Sequence, residues 1–124
     1  MVTSKIRKLD GFWESLDRLI AQSRIVIDRP KGTCHPRYPE LAYPLDYGYL
    51  DGTTSGDGGG IDVWLGASGT RDLSAVILTV DAFKRDAEIK LLLGCSEEET
   101  QIALACSNND KMRALLVPRP KEET

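Results

Sequence analysis

Between Leu41 and Gly66 the chain carries four acids, Asp46, Asp51, Asp57 and Asp62, and neither Lys nor Arg. The stretch just before it is the inverse. From Arg29 to Pro39 there are Arg29, Lys31 and Arg37, the single histidine His35, and no acid. A third charged patch, "VDAFKRDAEIK", sets Asp81 and Asp86 five residues apart around Lys84 and Arg85, followed by Glu88 and Lys90. Two carboxylates brought within about 4 Å repel by roughly 4 kcal/mol at the effective dielectric of a protein surface, so clustered aspartates call for a cation. All-oxygen ligation suits Mg²⁺ or Mn²⁺, and Mg²⁺ takes few carboxylates together with water and substrate phosphate. Arg and Lys on a neighbouring segment suit an anion, Arg through its bidentate fork and Lys as a point charge. Acids and bases meeting at one end of a fold would therefore suit a metal-bound phosphate ester or anhydride. The same Asp and Gly residues also suit plain turns, since Asp hydrogen-bonds nearby backbone and Gly takes positive φ.

These residues need elements to hold them. Leu9, Phe12, Trp13, Leu16, Leu19 and Ile20 recur at steps of three and four, the pattern of an amphipathic helix within 1–22. "RIVID", Arg24 to Asp28, has β-branched residues in series and predicts a strand. "RPKGTCHPRYPELAYP" holds four of the six prolines and predicts an extended surface segment. "YGYL", "IDVWLG", "SAVILTVD" and "EIKLLLGC" are short apolar runs parted by Gly, Ser or Asp, hence strands. Ser96 with Glu99 three residues on is a capping box, and it predicts a helix ending at Asn108 and Asn109. "MRALLVPRP" returns as a last strand. The order argues for a mainly β, α+β fold: a small closed antiparallel OB-like β-barrel with flanking helices, in one domain. That domain comprises an N-terminal helix (1–22), barrel and late helix (23–118) and a tail (119–124).

Ordinary apolar and charged fractions, 41% and 28%, fit a soluble globular domain, and 124 residues suffice for one core and not for two. The net charge of −3 offers no basic field for nucleic acid. Cys34, Cys95 and Cys106 are an odd number at no zinc-ligand spacing, and they suit a reducing compartment as buried apolar fillers. Asp10, Glu14 and Asp17 interrupt any leader-like apolar run, so the expectation is a cytoplasmic protein with no membrane span. His35, beside Pro36, reads as a loop residue, and Val63 and Trp64 read as core.

"YPLDYGYLDGTTSGDGGGIDVWLG", Tyr43 to Gly66, is similar to the signature region of the soluble family I inorganic pyrophosphatases. In that family a Tyr-Pro-x-x-Tyr-Gly-Tyr strand leads through a Thr-containing turn to an Asp-x-Asp-Pro-x-Asp-Val loop. "VDAFKRDAEIK" resembles the family's second acidic element, two aspartates five apart followed by a lysine. The resemblance spans about a third of the chain. It implies Mg²⁺-dependent hydrolysis of pyrophosphate by a metal-activated water, in a homo-oligomer, with Mn²⁺ as an alternative ion. Asp57, Asp62 and Asp86 match the carboxylates that hold the tightest metal and its water, and Asp81 matches a ligand of ions arriving with substrate. Tyr47 matches the tyrosine facing the site, Tyr43 opens the signature, and Asp28 falls where the family carries a glutamate. Lys31 and Arg37 stand near the positions of its phosphate-binding lysine and arginine, with Lys84 and Lys90 as further phosphate ligands.

The departures are specific. The family's middle loop aspartate, the general base toward water, falls on Gly59, and its proline falls on Gly60. Its lysine after the second acidic element is Glu88 here, with Lys90 displaced by two. Its C-terminal Tyr-Lys pair has no counterpart, which leaves Arg119 and Lys121 to supply charge. A general base adds about 10²- to 10⁴-fold, so loss at Gly59 would slow the reaction without abolishing it, and Asp46 or Asp51 could stand in. The alternatives are a catalytically impaired metal- or phosphate-binding sensor or assembly subunit of the same fold, and a barrel that binds proteins.

Overall fold

The computed structural model describes residues 11–121. Its elements are α1 (Phe12–Gln22), β1 (Ile25–Arg29), β2 (Asp46–Leu50), β3 (Ile61–Leu65), β4 (Leu73–Asp81), β5 (Asp86–Leu93), α2 (Glu97–Ser107) and β6 (Met112–Pro118). Each expected strand and both helices are present; Leu9 of the first helical pattern lies outside the described residues.

The six strands form one sheet in the order β1-β2-β3-β5-β4-β6. All neighbours are antiparallel except β3 and β5, which run parallel with Asp62 beside Lys90 and Trp64 beside Leu92. The fully antiparallel barrel expected from the strand run is therefore corrected in two respects. β4 runs back one place away from β3, and the β4–β5 hairpin drops β5 into the gap, which makes the central pair parallel. The sheet also has two ends, β1 and β6, with no pairing between them among the described residues.

Alternation along the strands gives the sheet two buried faces. One packs Leu50, Val63, Val76, Leu91 and Leu93 under Leu16 and Ile20 of α1. The other packs Leu45, Trp64, Ile77 and Leu92 under Ala103 of α2. Burying a side chain the size of Leu16 or Ile20 is worth about 1.5–3 kcal/mol, so α1 is held chiefly by its apolar face, whereas α2 buries Thr100, Ala103 and Ser107.

Polar contacts fix the helix ends. Gly11 caps α1 without a side-chain bond, but Arg71, in the loop after β3, donates to the carbonyls of Ile20 and Ser23 at its other end. At α2, Ser96 Oγ accepts from Glu99 N at 3.1 Å and Glu99 Oε1 accepts from Ser96 N at 2.9 Å, the capping box that the sequence predicts. The other Glu99 oxygen accepts from Ala67 N at 2.9 Å and ties α2 to the β3–β4 loop.

The two sheet edges differ. On β6 the N–H of Met112 donates to Asn109 Oδ1, that of Ala114 donates to Asn108 Oδ1, and Pro118 has no N–H to offer. The segment leaving α2 thus closes that edge. β1 has no such cover among the described residues, and a bulge between Ile27 and Arg29 leaves Asp28 exposed and outside its ladder.

Candidate functional site

The Asp57 loop is built largely from its own side chains. Thr53 Oγ1 donates to Leu50 O at 2.7 Å and accepts from Ile61 N at 3.0 Å, pinning the loop where β2 ends and β3 begins. Inside it, Asp57 Oδ1 accepts from Ser55 Oγ at 2.6 Å and from Gly59 N at 2.9 Å. Gly58 sits at φ +89°, and a Cβ on Gly60 would lie 2.6 Å from the Tyr49 ring and 2.9 Å from Leu50 O. The glycines are there for a left-handed turn and a close approach. At Gly59 an added Cβ would meet only Asp57 Oδ1, at 3.3 Å, a tight approach that the Asp57 carboxylate would have to yield to.

Beside this loop a polar network crosses the parallel seam. Asp86, Glu88 and Lys90 alternate onto the face of β5 that carries Leu92, and Asp62 precedes Trp64 on the same face of β3. Lys90 Nζ donates to Asp62 Oδ2 at 3.0 Å and to Tyr47 Oη at 2.7 Å, and lies 3.9 Å from Glu88 Oε1. Its side chain is only 7% exposed, against 23% for Asp62 and 12% for Glu88. Two carboxyls, Asp62 and Glu88, thus share one ammonium, and Asp57 joins them through Glu88.

The proton equilibria reflect that shortage of positive charge. Burial pushes the Glu88 carboxyl above the usual range; Lys90 opposes this, and a hydrogen bond to Asp57 with the charge of Asp62 adds to it. The Ser55 hydroxyl, the Gly59 N–H and Glu88 hold Asp57 down at about 2. Burial raises the Tyr47 phenol far above its ordinary range, with the Asp62 charge and a hydrogen bond to it adding to the effect. Tyr47 therefore donates to Asp62 while it accepts from Lys90.

An aromatic wall backs the network. Tyr47 packs edge-on against Trp64 at 4.5 Å and stacks on Tyr43 at 5.4 Å, and His35 stacks on Tyr43 at 6.3 Å. Trp64 is 3% exposed, and its indole Nε1 finds no hydrogen-bond partner among the described residues. His35 is a loop residue whose Nδ1 accepts from Arg37 N at 3.0 Å. Cys95 and Cys106 are half-buried, but Cys34 is exposed, so it is not a buried filler.

The expected site residues separate into two groups. The fold brings together Asp57, Asp62, Tyr47 and Lys90, with Tyr43 behind them. Asp81 is buried at the β4–β5 turn, where Oδ1 accepts from Phe83 N and Lys84 N, and Asp86 faces it across the hairpin. Between those two, Lys84 is exposed in the turn. Lys31 and Arg37 are exposed on the proline-rich segment; Lys31 N donates to Asp46 Oδ1, and Lys31 lines a groove with Glu98 and Glu99 on the α2 side. Asp51 pairs with Arg24, Asp28 sits on the edge bulge, and Arg119 clasps Asp17 of α1 at 2.8 Å. Glu88 is the member that the resemblance does not supply. Its signal is the two-residue step Asp86, Glu88, Lys90 along one strand face.

Oxygen donors in surplus over positive charge suit a hard divalent cation. Among the described residues, however, no group of three or more His, Cys, Asp or Glu side chains is arranged to hold a metal ion. Asp57 Oδ1 is engaged by its own loop and Asp62 by Lys90, so the donor chemistry fits Mg²⁺ while the donors are not preassembled around a single point. Among those residues no helix is long and apolar enough to cross a membrane. No family model matches the chain, and no curated protein matches it.

Proposed function

We propose that the face bounded by Asp57, Asp62, Glu88, Lys90 and Tyr47 binds pyrophosphate with Mg²⁺ and hydrolyses it slowly. The supporting observation is the Lys90 network, in which a buried ammonium and a tyrosine hydroxyl lie beside the carboxyls of Asp62 and Glu88, with Asp57 joined to them through Glu88. Asp57 and Asp62 would hold Mg²⁺, which when bound lowers the pKa of water and offsets phosphate charge, whereas Asp86 lies apart at the β4–β5 turn. Lys90 can turn from Asp62 to a phosphate oxygen, and Tyr47 Oη can donate to the same anion. Glu88, whose carboxyl pKa is pushed up by burial and which lies 3.9 Å from Lys90, is the group placed to exchange a proton with the departing phosphate. With glycine at position 59 the loop supplies no carboxylate there, which accounts for a slow reaction.

The Lys90–Asp62 ion pair also favours a second reading, in which the site binds metal and diphosphate without turnover. One pair of measurements separates the two. Phosphate release from pyrophosphate with Mg²⁺ should exceed that of Asp62→Asn, and calorimetry should show saturable binding. Binding without release selects the second reading, and neither binding nor release overturns both.

A further inference from the structure

We propose that β1 is the docking edge for a second copy of this chain, paired antiparallel about a two-fold axis at Val26. The proposal stands on the edge alone and is independent of the reading of the polar face.

Among the described residues β1 is the open end of the sheet, whereas at β6, the other end, Asn108 and Asn109 accept outward N–H groups and Pro118 has none to offer. The phase of its hydrogen bonds follows from the contact just before it: Asp51 N donates to Arg24 O at 2.8 Å, which makes Arg24 and Asp51 a hydrogen-bonded pair. Antiparallel pairs alternate between bonded and non-bonded, so Val26 bonds to Tyr49 while the main-chain groups of Ile25 and Ile27 point away from β2. Unpaired N–H and C=O groups on a β-branched strand without lysine form a template for another strand.

Charge selects both the partner and the register. Pairing centred on Val26 sets Ile25 opposite Ile27 of the second copy and Arg24 opposite Asp28, and the two-fold repeats each contact. A slip of two residues either way keeps the hydrogen-bond phase but places Arg24 or Asp28 opposite Val26. Only the Val26-centred register pairs opposite charges on both sides, and such cross-strand pairs are favourable where like charges are not. Both groups are available. Asp28 is exposed on the bulge, and Arg24 reaches Asp51 at 3.3 Å with 77% of its side chain in solvent. So short an edge buries far less than the roughly 800 Å² per partner of a standard interface, so the dimer should dissociate on dilution through the micromolar range and weaken with salt.

Sedimentation of the full chain across a dilution series tests this, with circular dichroism as the check on folding. The wild type should pass from dimer to monomer. Arg24→Asp should weaken dimerisation by about tenfold, since it turns two attractive pairs into repulsive ones. The double variant Arg24→Asp, Asp28→Arg should restore it to near wild type, and Ile27→Pro should abolish it by removing an outward N–H. A wild type that is monomeric throughout, a dimer indifferent to Arg24→Asp, or a folded double variant that stays monomeric would each overturn the proposal.

Discussion

Each face of the sheet carries a close ion pair near its apolar cluster, Arg119 with Asp17 and Lys90 with Asp62, and the two differ in how much water they keep. On the α1 side Arg119 grips Asp17 with two bonds of 2.8 Å, but their side chains remain 26% and 45% exposed. On the α2 side Lys90 meets Asp62 at 3.0 Å, with 7% and 23% exposed. The better geometry thus belongs to the wetter pair. Desolvation decides their weights: an exposed pair is worth at most about 1 kcal/mol, whereas breaking a buried one costs several because the orphaned charge stays behind. The first pair is a clasp between α1 and the end of β6. The second makes a charged surface out of a buried sheet face.

The largest expected effect tests that contrast. Lys90→Met should lower stability by about 3–5 kcal/mol, measured by urea unfolding, because Asp62 and Tyr47 lose their shared donor. Adding Asp62→Leu should recover most of the loss; without recovery, the cost would lie in packing instead of charge. Arg119→Ala should cost only about 1 kcal/mol in the same measurement, and a loss as large as that of Lys90→Met would erase the distinction between the faces. The smallest effect is on pH. Hydrogen bonds from Arg119 hold the Asp17 carboxyl below its ordinary 3.8, burial opposes them, and the guanidinium charge adds to them. A carboxyl depressed on folding contributes stability that is fully present above 3.8 and is lost as pH falls through its folded value. NMR titration should place the Asp17 midpoint below 3.8, and Arg119→Ala should return it there.

Local patterns carried much of this fold into the sequence. The capping box at Ser96, the β-branched run at Arg24–Asp28 and the paired aspartates around three glycines each state their own geometry. What they do not state is pairing over distance. The alternating pattern of β5 is the same whether it lies beside β3 or elsewhere, so the parallel seam and the open edges were not legible. Nor was the choice between Lys84 and Lys90, because a slip of one residue exchanges the two faces of a strand. Asp81 shows the limit of motif matching. Its spacing to Asp86 suits metal ligation, yet its Oδ1 serves the turn between them. The bland reading of aspartate in turns and the chemical one therefore hold at different positions of a single pattern.

The parallel seam also bears on the order in which the chain folds. β4 and β5 are joined by a four-residue turn and can pair locally, as can β2 and β3. Asp62 and Lys90 lie 28 residues apart, and their strands meet only when the two hairpins dock. No fragment containing one hairpin holds both partners of the buried pair. The polar face thus depends on the docking of the two hairpins and on neither hairpin alone.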